Sequence, residues 1–261
     1  MSTALITGAS SGIGKAFALE LAARNTNLVL VSRAEEKLHQ LAKQLQEKYK
    51  IQVDVIAKDL TEAGAAGEVF DATQEKGLTI DLLINNAGFA EYGDFAKADG
   101  ERQIKIVQLN ILALVDLTHK FLQEMRQRGE GSIINVSSLT AFQPMPYISV
   151  YGASKAFIVN FSQALWAENR HYGIRVLVTC PGPVETNFFT EAHFPPALAA
   201  KTNKISTCEQ VVRETLKALA RGDSIVVIGG ITTHLITKLS PFVPRQTLLY
   251  FLEKQFKVKT I

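Results

Sequence analysis

The chain has 261 residues, 47% of them hydrophobic and 20% charged, enough apolar side chain for one large core and too much for a disordered segment. A net charge of +3 without any block of like charges leaves no electrostatic footprint for nucleic acid. Cys180 and Cys208 stand far apart, which argues against a disulfide framework or a thiolate metal site and fits a reducing, cytoplasmic setting.

A single domain over 1–261 is expected, with no secretory leader and no run near the ~20 apolar residues of a bilayer span. Residues 3–7 and 27–32 are short, apolar runs that predict strands. Between them Ile13, Phe17 and Leu21 recur every fourth position, one face of a helix. The alternation continues with helix 35–49, strand 52–57, helix 63–76, strand 81–85 and a long helix 99–128. Strand 132–137, helix 151–172, strand 175–180, an irregular stretch to 206, helix 207–221 and strand 224–228 come next. Seven strands separated by helices require a parallel sheet covered on both faces, and such a sheet binds ligands outside the carboxyl ends of its strands.

Gly8, Gly12 and Gly14 follow the first strand and open the first helix. A backbone free of Cβ atoms, at a helix N-terminus with unpaired N–H groups, suits a dinucleotide pyrophosphate. The second strand ends in Ser32 and Arg33, where sites that prefer NAD carry an acid. A guanidinium there can fork onto a 2′-phosphate, so NADP(H) is the expected cofactor; the competing role for Arg33 is a surface pair with Glu35 or Glu36.

Tyr151 and Lys155 are four apart on a predicted helix and so share a face. A phenol titrates near ~10, and a neighbouring ammonium lowers that value, which would make Tyr151 a proton carrier for an alcohol or carbonyl oxygen. Taken alone, such a pair is an ordinary surface contact. Ser137 and Ser138 close the preceding strand, and Ser138 can donate to a substrate oxygen as charge builds on it, although a loop serine or helix cap reads the same way.

Together, Thr7-Gly8-Ala9-Ser10-Ser11-Gly12-Ile13-Gly14, Asn85-Asn86-Ala87-Gly88, Ser138, Tyr151-Gly152-Ala153-Ser154-Lys155 and Pro181-Gly182 resemble the short-chain dehydrogenase/reductase family, in order and spacing, through residues 3–230. The resemblance implies a doubly wound Rossmann fold with a seven-stranded parallel sheet in the order 3-2-1-4-5-6-7. It implies that Tyr151 is the acid/base and that Lys155 lowers its pKa and holds the nicotinamide ribose. Ser138 would then polarise the substrate, and Asn110 would fix a water in the proton relay. On the cofactor side it implies Gly8, Ser10, Ser11, Gly12, Ile13 and Gly14 at the phosphates and Ser32 and Arg33 at the 2′-phosphate. It further implies Asp59 and Leu60 at the adenine, Asn85, Ala87 and Gly88 at the adenosine ribose, and Pro181, Gly182, Val184 and Thr186 at the carboxamide, with Asn86 steadying the central strand. Ser11 departs from the basic residue that many NADP-preferring members carry, so the cofactor preference rests mainly on Arg33.

Residues 187–206 would form a lid. Its Phe188, Phe189 and Phe194 face Leu139, Phe142, Met145 and Tyr147 across the site, which suggests an apolar pocket for a hydrophobic ketone, aldehyde or secondary alcohol. The five histidines show no ligand spacing, so no metal is expected, and His193 reads as a solvent-facing residue of the lid. The extension 231–261 carries Leu248, Leu249, Leu252 and Phe256 on one helical face and Lys238, Arg245, Lys254, Lys257 and Lys259 against Glu253. Such a helix packs on its own domain, on a second subunit of a homo-oligomer, or on an anionic membrane. The rival readings are a non-catalytic NADP-binding regulatory protein and a related chemistry, epimerisation or dehydration, that recycles the cofactor.

Overall fold

A computed structural model describes residues 1–199, 205–230, 237 and 243–257. Lys238, Lys259 and about half of the expected extension lie outside the described residues, as does the stretch 200–204 of the expected lid. The strands are β1 (Thr3–Thr7), β2 (Asn27–Ser32), β3 (Val53–Ala57), β4 (Leu82–Asn85), β5 (Gly131–Val136), β6 (Ile174–Pro181) and β7 (Ile225–Ile228). All pair in parallel, in the order β3-β2-β1-β4-β5-β6-β7, with Leu5 of β1 opposite Val29 of β2 on one side and Leu83 of β4 on the other.

The central strands are apolar on both faces because both faces are covered. Ala4, Ile6, Leu28 and Leu30 point into one layer with α1 (Gly12–Ala23), α2 (Glu35–Tyr49) and a later helix, Cys208–Arg221. Leu5, Val29, Val31 and Leu83 point into the other, against α3 (Ala65–Glu75) and the helix Leu114–Arg128. Phe17 and Phe121 are the largest fully buried side chains, one in each layer, and truncating either to alanine would cost about 3–5 kcal/mol.

The long helix expected over 99–128 is three pieces: α4 (Gly100–Val107), one wide π-type turn (Gln108–Ala113) and α5 (Leu114–Arg128). The extra residue in that turn re-aims α5 relative to α4 without ending the helix, and such turns recur at functional sites. Asp99 caps α4 by accepting from the amides of Glu101 and Arg102, which fixes where the helix starts. The next helix, α6 (Ser149–Asn169), begins earlier than expected and closes in a single 3₁₀ turn, Arg170–Tyr172. After β6, the stretch expected to be irregular contains two one-turn helices, α7 (Phe188–Glu191) and α8 (Pro196–Ala199). Then come α9 (Cys208–Arg221), capped by Thr207, and α10 (Arg245–Phe256). Leu252 is the buried residue of α10, while Tyr250 and Phe251 on its outer side are exposed. Leu249, expected on the inner face, is exposed as well, because the helix seats along its 248–252–256 line. No described helix is long and apolar enough to cross a membrane.

Candidate active site

The order of the sheet reverses between β1 and β4, so the chain leaves these neighbouring strands in opposite directions and opens a crevice above them. Gly8 turns out of β1 at φ +66°, and a Cβ there would meet Asn86 Nδ2 at 2.9 Å and the Ala87 Cα at 3.0 Å. Gly14 has no room at all: a Cβ would lie 2.2 Å from the Gly8 carbonyl oxygen. Asn86 ties the two turns together, its Nδ2 donating to the carbonyls of Thr7 at 2.9 Å and Gly8 at 3.3 Å. Thr7 Oγ1 in turn accepts from the amides of Asn86 and Ala87, each at 3.0 Å. The result holds the N-terminus of α1 open toward the crevice. Ser11 makes no side-chain cap there and the first turn carries no acid, so the orphan N–H groups and the positive end of the helix dipole are free for a phosphate.

Beside this cradle, Arg33 follows β2 with its side chain 72% exposed and its guanidinium 3.6 Å from Asp59. Burial works to raise the Asp59 carboxyl, but hydrogen bonds from Thr61 and the Arg33 charge outweigh it and hold the group below the usual carboxylate range. Ser32 Oγ accepts from the Ala34 amide at 3.2 Å and shapes the same corner. Across the crevice Thr186 leans over Gly12, where a Cβ would be 3.2 Å from its methyl group. Pro181 and Gly182 lead to it from β6, with the Gly182 amide donating to the Ile228 carbonyl, and Val184 is buried under the loop.

The catalytic candidates converge below the far end of the crevice. Tyr151 and Lys155 are both buried on the inner face of α6, with the Lys155 Nζ 5.5 Å from the Tyr151 ring centroid. The ammonium donates to the Val136 carbonyl at 2.9 Å, and Ser137 Oγ donates to the Lys155 carbonyl at 2.8 Å. Burial pushes the Tyr151 phenol up to about 12, opposed by a hydrogen bond with Ser138 that favours the phenolate. Burial also pulls Lys155 down to about 8, partly opposed by the nearby Cys180 thiol. The phenol thus stands above its ordinary value, opposite in direction to the lowering expected from a neighbouring ammonium, because loss of solvent disfavours the phenolate.

Asn110 sits in the π-type turn and is 1% exposed. Its Nδ2 donates to Ser154 Oγ at 3.0 Å and to the Phe89 carbonyl at 3.2 Å, and its Oδ1 accepts from the Phe89 amide at 3.2 Å. Gly88 fits between Asn110 and Lys155, where a Cβ would stand 2.9 Å from Asn110 Oδ1 and 3.4 Å from Lys155 Nζ. Above Tyr151 the phenyl ring of Phe188 packs at 5.3 Å, and Met145, Tyr92, Phe194 and Phe256 complete one apolar cluster. The wall is thus drawn from separate segments of the chain, α10 included: Tyr92 donates its hydroxyl to the Phe256 carbonyl at 2.6 Å.

The family model described as short chain dehydrogenase matches residues 2–194. This chain belongs to the short-chain dehydrogenase/reductase family. It is 33% identical to the 17-beta-hydroxysteroid dehydrogenase type 3 of Rattus norvegicus, over 97% of this chain and 81% of that one. Among solved structures it superposes on a bulky-bulky ketone specific alcohol dehydrogenase from Comamonas testosteroni, with a TM-score of 0.80 and 32% identity, covering 96% of this chain and 94% of that one. A short-chain dehydrogenase from Sphingobium yanoikuyae, solved in complex with NADPH, gives a TM-score of 0.84 at 29% identity, covering 100% of this chain and 98% of that one.

As a short-chain dehydrogenase/reductase the protein is an oxidoreductase of the alcohol/carbonyl couple. Gly8, Ser10, Ser11, Gly12, Ile13 and Gly14 form the turn between β1 and α1, and the structure brings Ser138 to Tyr151, Tyr151 to Lys155, and Lys155 to Asn110 across Gly88. Asn85 differs. Its side chain turns into the core and donates to Asn135 Oδ1 at 2.9 Å and Thr118 Oγ1 at 3.0 Å, because alternate residues of a strand point to opposite faces. Leu60 is likewise buried in the core layer. Sequence reasoning missed Thr7, Ser154, the clasp of Tyr92 on α10 and the packing of Phe188 on Tyr151. The Thr-Gly and Ser-Lys neighbours in the motifs were the only local signal for the first two.

Proposed function

We propose that the protein is an NADP(H)-dependent reductase of bulky, apolar ketones, working in reverse on the matching secondary alcohols. The observation that carries this is the setting of Tyr151: one phenol, hydrogen-bonded to Ser138, above a buried ammonium and beneath the Phe188 ring, within one apolar cluster. The relatives named for steroid and bulky-ketone substrates support the same class.

The residues present fit a nicotinamide dinucleotide. The uncapped N-terminus of α1 and the glycine turn would hold the pyrophosphate, Arg33 the 2′-phosphate, Lys155 the nicotinamide ribose and Thr186 the carboxamide. The cofactor bound there would supply or accept the hydride. Tyr151 gives its proton to the substrate oxygen as negative charge builds on it, while Ser138 donates a hydrogen bond to the same oxygen. An alkoxide is a far stronger base than a phenolate, so even a phenol raised to about 12 is a competent acid toward it. The phenolate left behind is held by the Lys155 charge beneath it. In the reverse direction the phenolate is the base that takes the alcohol proton.

NADPH oxidation across ketones of graded bulk, with Tyr151→Phe as the control, tests this. Highest efficiency on small charged keto acids, or turnover by the phenylalanine variant, would refute it. The outer faces of α4, the π-type turn and α6 expose Ile104, Leu112 and Phe157, and we assign them to a homodimer contact. A monomer by sedimentation velocity at assay concentration would remove that assignment.

A further inference from the structure

The four residues after Gly88 touch Asn110, the cluster around Tyr151 and the 188–194 segment. Phe89 exchanges its amide and carbonyl hydrogen bonds with Asn110, and Ala90 packs in the cluster around Tyr151. Glu91 then reaches toward the lid with a side chain only 15% exposed. Its Oε1 lies 2.9 Å from His193 Nδ1, and its Oε2 accepts from Arg102 Nε on α4. The other arm of Arg102 donates to the Glu191 carbonyl at 3.0 Å, and its guanidinium covers the Phe89 ring at 5.3 Å. Finally the Tyr92 amide donates to the Ala192 carbonyl at 2.9 Å, and the Tyr92 ring meets Phe194 at 5.2 Å.

One short stretch of backbone therefore holds Asn110 at its first residue and the lid, residues 188–194, at its last two. The grip works against local cost. His193 sits at φ +55°, a left-handed backbone that a histidine adopts at a penalty of about 1–3 kcal/mol unless its surroundings hold it. A largely buried carboxylate shared by donors from two different elements supplies such a hold, since charge-assisted bonds are the stronger ones.

We propose that Glu91 and Arg102 are positioning residues that clasp the 188–194 segment down on Tyr151, and so set how tightly the carbonyl substrate is held. The clasp rests on the reading of Tyr151 as the proton donor but touches neither substrate nor cofactor. With it broken, the lid keeps its apolar contacts and loses the bonds that fix Phe188 over the phenol. The room over Tyr151 then has no settled roof, while the phenol, ammonium and dinucleotide turn stay in place. Substrate affinity falls and the chemical step does not.

The test uses Glu91→Gln, Arg102→Gln and the double variant, assayed with NADPH and the best bulky ketone. KM should rise about three- to tenfold, the range for one or two partly exposed charge-assisted bonds, with kcat within about twofold of wild type. The double variant should be no worse than the poorer single one, because both break one clasp. Chymotrypsin cleavage after Phe188 or Phe189 should quicken by a similar factor, while NADPH affinity stays unchanged by fluorescence. The cleavage readout needs no turnover, so it tests the clasp even if no ketone proves to be a substrate. Should Glu91→Gln fail to fold, His193→Gln at the exposed end removes part of the same clasp and is expected to give a smaller shift in the same direction. Unchanged KM and cleavage, strictly additive effects, or a loss confined to kcat would each overturn the assignment.

Discussion

Lys155 and Tyr151 stack in the dry interior of α6, the ammonium 5.5 Å from the ring centroid, and burial drives their ionisations toward one another's neutral forms. The phenol rises to about 12 and the ammonium falls to about 8, so at neutral pH the pair is a neutral acid over a cation held by a single carbonyl, that of Val136. Both features serve reduction: the proton is present to be given, and the charge is present to receive the phenolate.

These two values dictate a pH profile. Reduction needs Tyr151 protonated, which holds up to about 12, and Lys155 charged, which holds only below about 8. The kcat/KM for ketone reduction is therefore expected to be level from about pH 6 to about pH 7.5 and to fall about tenfold per pH unit well above 8, because it reports the free enzyme. A profile level to about pH 10 would show that Lys155 does not govern the acid step.

The same lysine is a stability liability. Its pKa is lowered on folding from 10.5 to about 8, so between those values the unfolded chain keeps a proton that the folded chain has shed, and this group's contribution to stability improves as pH rises through that window. Below about 8 it is charged in both states and the burial penalty is constant. Lys155→Met removes the charge at similar volume. It is expected to raise Tm at neutral pH in the absence of cofactor while lowering kcat by about a hundredfold or more. A lower Tm would mean that the bond to Val136 outweighs the desolvation.

Arg33 offers the cofactor test. Its guanidinium is largely exposed and only loosely paired with Asp59, so it is free to turn to a 2′-phosphate without breaking a strong native contact. Arg33→Ala is expected to lower kcat/KM for NADPH by about ten- to a hundredfold and to leave NADH almost unaffected, the scale of a forked charge-assisted pair. Equal losses with both cofactors would make Arg33 a structural residue.

These sites differ in how far the sequence disclosed them. The strands were legible because residues such as Leu28 to Val31 are apolar without a break, which only a sheet buried on both sides requires. The glycine turn and the Tyr151–Lys155 face were legible because their geometry is local. The π-type turn at Asn110 was hidden, since the apolar period continues on either side of it. Asn85 was expected at the adenosine ribose and Asn86 as a support of the central strand, but the sequence did not disclose that one amide enters the core while the next reaches the Gly8 turn. Glu91 and His193 are 102 residues apart, and nothing short of the fold brings a charge after β4 against a histidine in the lid.

Two glycines of the turn separate folding from binding. At Gly14 a Cβ would press to 2.2 Å from the Gly8 carbonyl and 2.6 Å from Asn86 Nδ2, atoms locked by β1 and the Asn86 hydrogen bonds, so nothing can give way. Gly14→Ala is expected to cost several kcal/mol, at about the upper end of single substitutions, and to show as a large drop in Tm or as insoluble protein. At Gly12 the nearest neighbour is the Thr186 methyl at 3.2 Å, on a loop that can shift, and the cost is chiefly a φ of +52°. Gly12→Ala should therefore fold with a loss of about 1–2 kcal/mol, and fail in NADPH binding because the added methyl stands where α1 opens toward the phosphate. Equal Tm losses for the two variants, or normal NADPH affinity in Gly12→Ala, would mean that the turn does not hold the dinucleotide.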